Sequence, residues 1–169
     1  MSFGSVIFGG GEFGGSALTL PLPTDLLAAV ADWLESDDDV VMALGHDAED
    51  DPRIFSDEAR GCELPYLVIV DVSDVPSYES LDSDSSIPIT QRAQVQVSVF
   101  ANGKTESKTL AKLVRNSLND APLVFDEGVL LYLRLDSDRG IPEPRPGPGS
   151  QVTVYHRALT FSAIVESTM

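Results

Sequence analysis

Residues 91–118 read QRAQVQVSVFANGKTESKTLAKLVRNSL, and their hydrophobic period changes once, from alternation to a helical repeat. In the first half, the apolar residues that alternate with polar ones are Ala93, Val95, Val97 and Val99. Such alternation predicts a β-strand with one buried face. In the second half, apolar residues recur at helical spacing from near Thr105 to Leu118. The stretch therefore predicts a strand followed directly by an amphipathic helix.

The remaining segments add another helix and several strands. Apolar residues at helical spacing predict a first helix that begins after the N-cap Thr24 and ends near Ser36. We predict strands at residues 40–44, 66–72, 129–135 and 151–165, and irregular segments at 45–63, 73–88 and 140–149. In the last strand the apolar phase shifts between Ala158 and Leu159. That shift indicates either a β-bulge or a face that passes from solvent to an intersubunit contact.

This order of elements predicts an α+β fold. We expect one mixed, mainly antiparallel β-sheet with two principal helices packed on one face, and long loops between the strands. A chain of 169 residues suits a single domain with a tail. We therefore predict one α+β domain over residues 24–169, preceded by a flexible arm at residues 1–23.

The composition excludes several classes of protein. A net charge of -16 argues against general nucleic-acid binding, which needs a concentrated cationic surface. Cys62 is the only cysteine, so neither an intrachain disulfide nor a cysteine-rich zinc site can form. No apolar run approaches the roughly 20 residues that span a bilayer, and the N-terminus lacks the cationic start of a secretory signal. We expect a protein that is cytosolic when made and has no membrane partner.

The arm at residues 1–23 is rich in glycine and carries Phe3, Phe8 and Phe13. Aromatic residues on a flexible tether suit docking on a neighbouring subunit, although the same composition also suits plain disorder. The sequence leaves both interpretations open.

The second helix carries four of the eleven cations of the chain, which are Lys104, Lys108, Lys112 and Arg115. Their spacing places them on one face, which we expect to lie opposite the apolar stripe. Glu106 is the only acid in the helix body, so local ion pairs do not neutralise this face. One interpretation is an ordinary solvated face. The other is a contact surface that meets an acidic partner, because the remaining chain is strongly negative.

No set of residues predicts catalysis, a cofactor or a metal. Gly9, Gly11 and Gly14 spell a dinucleotide-binding fingerprint, but prolines follow too closely for the crossover helix that the motif needs. Two loops that resemble the start of a calcium-binding loop, at 82–86 and 136–140, lack the final carboxylate. His46 beside Asp47, and His156, are candidate acid/base groups without a recognisable nucleophile motif. We predict that the protein is not an enzyme.

The order of these signals resembles the tail-terminator or tail-completion proteins of long-tailed bacteriophages. It comprises the first helix, Leu64-Pro65-Tyr66 before a buried strand, the strand and helix within 91–118, and Tyr155-His156-Arg157 in the final strand. The resemblance covers residues 24–165. It implies a virion subunit, assembled in the host cytoplasm, that forms a ring, often of six copies, on the tail tube and contacts head-completion proteins. The alternatives are a minor tail or contractile-injection-system component and a monomeric protein-binding adaptor. The chain departs from the usual pattern in its arm and in the proline-rich segment 141–148.

Overall fold

The computed structural model describes residues 26–59, 62–75, 89–125, 128–141 and 154–167. Its helices are α1 (Leu26–Glu35), α2 (Asp38–Leu44) and α3 (Lys104–Leu118). Its strands are β1 (Ile54–Ser56), β2 (Tyr66–Val75), β3 (Ile89–Ala101), β4 (Val124–Phe125), β5 (Gly128–Ile141) and β6 (Tyr155–Ser167). The predicted arm, most of the two predicted loops at 73–88 and 140–149, and the first calcium-loop candidate lie outside the described residues.

The six strands form one sheet in the order β1-β2-β3-β6-β5-β4. Strands β1 and β2 are parallel, and all other neighbouring pairs are antiparallel. The pairing of β3 with β6 is uninterrupted from Ile89↔Ser167 to Ala101↔Tyr155. The predicted α+β class with a mixed, mainly antiparallel sheet is confirmed. The described residues contain three helices rather than two.

The hydrophobic core lies between the helices and one face of the sheet. The predicted alternation in β3 is confirmed, because Ala93, Val95, Val97 and Val99 are all at most 5% exposed. Phe161 of β6 lies in the same core and is fully buried. Helix α3 contributes Leu110, Ala111, Val114 and Leu118, and α1 contributes Leu26, Val30 and Leu34. Burying a large apolar side chain stabilises the fold by about 1.5–3 kcal/mol, so this layer fixes the position of α3 on the sheet.

The strand predicted at residues 40–44 is wrong, because α2 occupies Asp38–Leu44. The side chain of Asp37 caps this helix by accepting hydrogen bonds from the backbone N–H groups of Asp39 and Val40, at 3.0 and 3.3 Å. Asp38 and Asp39 lie in its first turn, where the helix dipole favours negative charge. The run of three aspartates is thus the start of a helix rather than an isolated acidic turn.

The segment predicted to be irregular, 45–63, contains the short strand β1 and is organised by Arg53. The Nε of Arg53 donates to the backbone carbonyl of His46 at 2.9 Å, and one Nη donates to the carbonyls of Leu44 and Leu64. Its other Nη pairs with Glu63 at 3.2 Å. One guanidinium therefore joins the end of α2, the following turn and the residues that precede β2.

Of the two explanations for the phase shift between Ala158 and Leu159, the β-bulge is wrong, and the intersubunit contact stays a prediction. Strand β6 pairs with β3 without a register shift there, and both residues are buried, at 6% and 0% exposure. The bulges lie instead in the neighbouring strand β5, at Leu131 and Asp136, and in β2 near Val72. The consecutive apolar residues of β6 are thus explained by burial on both faces of the sheet. On the face away from the helices, the buried residues form one cross-strand row, which consists of Val68, Ser98 and Ala158.

Candidate interaction surfaces

Helix α3 is fixed at both ends by hydrogen bonds. At its N-terminus, Glu106 Oε2 accepts a hydrogen bond from the backbone N–H of Asn102 at 2.9 Å. Near its C-terminus, Trp33 Nε1 of α1 donates to the backbone carbonyl of Ser117 at 3.0 Å. This carbonyl belongs to the last turn of α3, where the helix itself provides no amide partner. The orientation of α3 is therefore set by α1 as well as by the core.

The four predicted cations form a stripe along one flank of α3. Lys104, Lys108 and Lys112 are exposed and Arg115 is half-buried. None of the four makes an ion pair with any residue that the structure describes. With about 100° of rotation per residue, the stripe is centred roughly 100° around the axis from the middle of the buried face. It therefore flanks the buried face. The expectation from the sequence, that the stripe lies diametrically opposite to the buried face, is wrong.

The cationic stripe and helix α1 lie on opposite sides of α3. Lys108 and Ser117 are nine residues apart, which is two and a half turns and places them about 180° apart around the axis. Ser117 is the residue whose carbonyl accepts the bond from Trp33, and Leu113, on the same side, packs against the core. The stripe therefore faces away from α1.

Residues 32–58, which include the end of α1, all of α2, β1 and the turns between them, carry an acidic surface. Residues 26–59 contain a single cation, Arg53. The acids there are Asp32, Glu35, Asp37, Asp38, Asp39, Asp47, Glu49, Asp50, Asp51, Asp57 and Glu58. The pKa of Glu35 is raised by partial burial and then by the negative charges of Asp32 and Asp51. We call residues 32–58 the acidic surface; its carboxylates repel one another in the isolated protomer.

Aromatic rings form a row across four strands on the sheet face away from the helices. Tyr66 stacks on Phe100 with ring centroids 4.7 Å apart, and Phe100 stacks on His156 at 4.2 Å. Phe55 meets Tyr66 edge to face at 6.1 Å. The row arises from cross-strand register, because Tyr66, Phe100 and His156 are direct partners in β2, β3 and β6. The imidazole of His156, a candidate acid/base group, is therefore packed in this row of stacked rings.

The candidate acid/base and metal residues do not converge on a site. The Asp47 carboxylate accepts the backbone N–H groups of Glu49 and Asp51, both at 3.0 Å, so it shapes a turn and does not orient His46. Cys62 is a half-buried free thiol.

Asp138 and Asp136 lie on different faces of the sheet. Asp138 pairs with Arg157 at 2.5 Å, whereas Asp136 accepts hydrogen bonds from Ser162 and from Gln94. No group of three or more potential metal ligands occurs in the described part of the chain.

The β4–β5 hairpin carries an apolar surface that sequence reasoning missed. Val124, Val129 and Leu131 are 88%, 53% and 50% exposed. Leu131 is the extra residue of a bulge, so strict alternation along β5 gave no signal for it. The predicted arm residues Phe3, Phe8 and Phe13 lie outside the described residues. No helix within the described ranges is long and apolar enough to cross a membrane.

Comparison with known proteins identifies the family. The family model for tail completion protein gp17 matches residues 28–166, which include every helix and strand except the ends of α1 and β6. No curated protein matches the chain.

A chain from the structure titled "Virion of native gene transfer agent (GTA) particle" matches with a TM-score of 0.62 at 19% identity, covering 84% of this chain and 95% of the other. At that identity the match shows a shared fold. The family implies a structural rather than a catalytic role. The chain therefore belongs to the tail completion protein gp17 family and is a structural subunit in the tail or neck of a virion.

Proposed function

We propose that the protein forms a homo-oligomeric ring that terminates the tail tube and joins it to head-completion proteins. The observation that carries this proposal is the separation of charge within one protomer. The cationic stripe on α3 faces away from α1, while the acidic surface comprises residues of α1, α2 and the turns that follow them. Two different, complementary surfaces on one chain favour contacts that repeat from copy to copy in one direction.

In this proposal the α3 stripe of one copy meets the acidic surface of the next. Helix α3 carries four cations and one acid between Lys104 and Leu118, and its lysines are exposed without ion pairs to described residues. A cationic partner would relieve part of the repulsion on the acidic surface, where burial first and then the charges of Asp32 and Asp51 raise the pKa of Glu35. Such charge pairs set orientation and the rate of encounter more than they set affinity.

Affinity in the proposed ring requires apolar contacts in addition to charge. The segment that precedes the domain supplies Phe3, Phe8 and Phe13, and buried aromatic side chains commonly dominate interface energies. We assign these residues to the contact with an adjacent copy or with the tail tube. The core domain then acts as a rigid wedge, and the arm fastens the ring.

The direct test reverses Lys108 and Lys112 to Glu and measures assembly by sedimentation velocity and negative-stain imaging. Each exposed ion pair contributes about 0.2–1 kcal/mol, so reversing two residues replaces attraction by repulsion and weakens each interface by roughly 1–3 kcal/mol. We expect rings to give way to monomers, with unchanged circular dichroism. Rings of normal size from the Lys108→Glu/Lys112→Glu protein would remove the stripe from the proposal.

A matched control keeps the total change in charge equal. Arg92 of β3 and Arg139 of β5 are exposed cations on the sheet face away from the helices. Reversing both to Glu alters the net charge as much as the α3 double variant does, so general repulsion between copies is the same. We expect Arg92→Glu/Arg139→Glu to assemble normally. A wild-type protein that remains monomeric at high concentration and with tail-tube protein would instead support the adaptor function.

A further inference from the structure

The β4–β5 hairpin exposes apolar side chains at an incompletely paired sheet edge. Val124 and Val129 are direct cross-strand partners and are 88% and 53% exposed, and Leu131 follows at 50%. Three neighbouring exposed apolar side chains in a strongly acidic chain mark a surface that another segment covers. Charged or uniformly polar residues would be expected on a hairpin that faces only water.

The β5 backbone on the same edge is partly covered, because the Leu133 carbonyl accepts a hydrogen bond from the Asp120 N–H at 2.9 Å and the Leu135 N–H donates to Asn119 Oδ1 at 3.4 Å. Strand β4 pairs with β5 only at Val124↔Val129 and Phe125↔Gly128, whereas β5 continues to Ile141. From Leu130 onward, no described strand pairs with β5 on the side away from β6. A segment placed against the hairpin would therefore bind chiefly through the apolar side chains of Val124, Val129 and Leu131.

The N-terminal segment of the chain has the reach and the chemistry to occupy this edge. It comprises 25 residues before Leu26, and α1, which begins at Leu26, contacts β4. An extended segment of that length spans up to about 80 Å, far more than the path to the hairpin requires. Its first 20 residues contain Val6, Ile7 and three phenylalanines and a single charged residue, Glu12.

We propose that residues 1–25 dock on the apolar hairpin surface formed by Val124, Val129 and Leu131 of their own chain. Tethering favours this occupant, because a segment joined to the body through α1 is present at an effective concentration of about millimolar. Docking shields the apolar residues of both partners in the free protein. In a ring the adjacent copy carries the same hairpin surface. Residues 1–25 of one copy can therefore dock on the hairpin of the next copy through the same contacts that they make within their own chain.

The test is limited proteolysis of the full-length free protein with chymotrypsin, scored by mass spectrometry at Phe8 and Phe13. In wild-type protein we expect slow cleavage at both sites. In the Val124→Asn/Leu131→Asn variant we expect cleavage to accelerate about tenfold or more, since losing two apolar contacts shifts the docked fraction by at least that factor. Both substituted positions are exposed, so the core of the domain is unchanged.

Met42 provides the matched control, because this α2 residue is apolar and 81% exposed but is far from the hairpin in sequence and in a different element. Met42→Asn should leave cleavage at Phe8 and Phe13 as slow as in wild type. As a second measurement, deleting residues 1–23 should speed amide hydrogen exchange at 129–133 without changing exchange in β3. Equal cleavage of wild type and Val124→Asn/Leu131→Asn, or exchange that the deletion does not alter, would overturn the docking.

Dilution separates docking within a chain from docking between chains. Protection that is independent of protein concentration supports the proposal, whereas protection that disappears on dilution would show that another copy supplies the segment and would refute docking in the free monomer. Every measurement uses free protein. If the Lys108→Glu/Lys112→Glu protein still forms rings, the proposed ring contact is refuted but the docking of residues 1–25 is not. Likewise, unprotected Phe8 and Phe13 would refute the docking without refuting the ring contact.

Discussion

Replacing Trp33 by Phe tests the contact that orients α3. The indole Nε1 of Trp33 donates to the Ser117 carbonyl at 3.0 Å, so the bond joins two helices through residues that are 84 positions apart in the chain. The carbonyls of Arg115 and Leu118 accept hydrogen bonds from the backbone N–H groups of Asn119 and Ala121. The Ser117 carbonyl lies between these two, and its hydrogen-bond donor is the indole of Trp33.

The magnitude follows from two losses. Removing the donor costs about 1–2 kcal/mol, because the partly buried carbonyl loses its bond and is only partly rehydrated. The smaller phenyl ring loses roughly 1 kcal/mol of apolar burial against the core. We therefore expect Trp33→Phe to lower the free energy of unfolding by about 2–3 kcal/mol. For a chain of this size the melting temperature should fall by roughly 4–12 °C.

The assay is urea unfolding followed by far-ultraviolet circular dichroism, with Ser117→Ala as the companion variant. Ser117 Oγ is buried and has no hydrogen-bond partner in the described part of the chain. Removing it leaves the backbone carbonyl in place, so Ser117→Ala should stabilise the protein by about 0.5–1 kcal/mol through helix propensity and relief of an unsatisfied hydroxyl. A loss below about 0.5 kcal/mol in Trp33→Phe would refute the reasoning about the carbonyl.

Three further predictions concern α2, the acidic surface and the β5–β6 pair. Asp37→Ala should cost about 1 kcal/mol in urea unfolding, because the cap of α2 is lost, whereas Asp37→Asn should retain most of it. Glu35→Gln should stabilise the protein at neutral pH, because the raised pKa of Glu35 means that its ionisation disfavours the folded state. This gain in stability should vanish as the pH falls below the ordinary carboxyl pKa of 4.5, where Glu35 is protonated in both states. A gain that is unchanged at acid pH would contradict the prediction. Asp138→Ala should destabilise by about 1–3 kcal/mol by leaving the half-buried Arg157 unpaired, and Asp138→Leu/Arg157→Leu should recover part of that loss in thermal melts.

The sequence predicted those parts of the fold whose signal is local and periodic. The alternation from Ala93 to Val99 and the helical repeat to Leu118 are such signals, and the structure contains both elements. The segment Val40 to Leu44 was misassigned because five consecutive apolar residues have no period that separates strand from helix. The deciding signal was Asp37, a helix cap with acids in the following turn.

Other features depend on pairing between distant residues, and no local pattern encodes them. Strand β1 exists because Ile54–Ser56 pairs with residues 67–69, and the bulges at Leu131 and Asp136 arise from the register of β5 on β6. The apolar hairpin surface follows from the first of these bulges, so it was not foreseeable from β5 alone. The cations of α3 were identifiable by spacing, but their position beside the buried face depended on which residues the sheet covers.

The position of the cationic stripe has a consequence for symmetry. A two-fold dimer whose axis passes through the cationic stripe would set the α3 cations of one copy against those of the other. Like charges facing one another across an interface are unfavourable, so this arrangement is disfavoured for a surface whose lysines make no ion pair with the described residues. Contacts between unlike surfaces avoid the repulsion and repeat in one direction until the rotation closes. If the proposed contact is correct, raising salt should therefore release monomers from closed rings without a stable two-fold dimer, and sedimentation velocity across a salt series would reveal such a dimer if it formed.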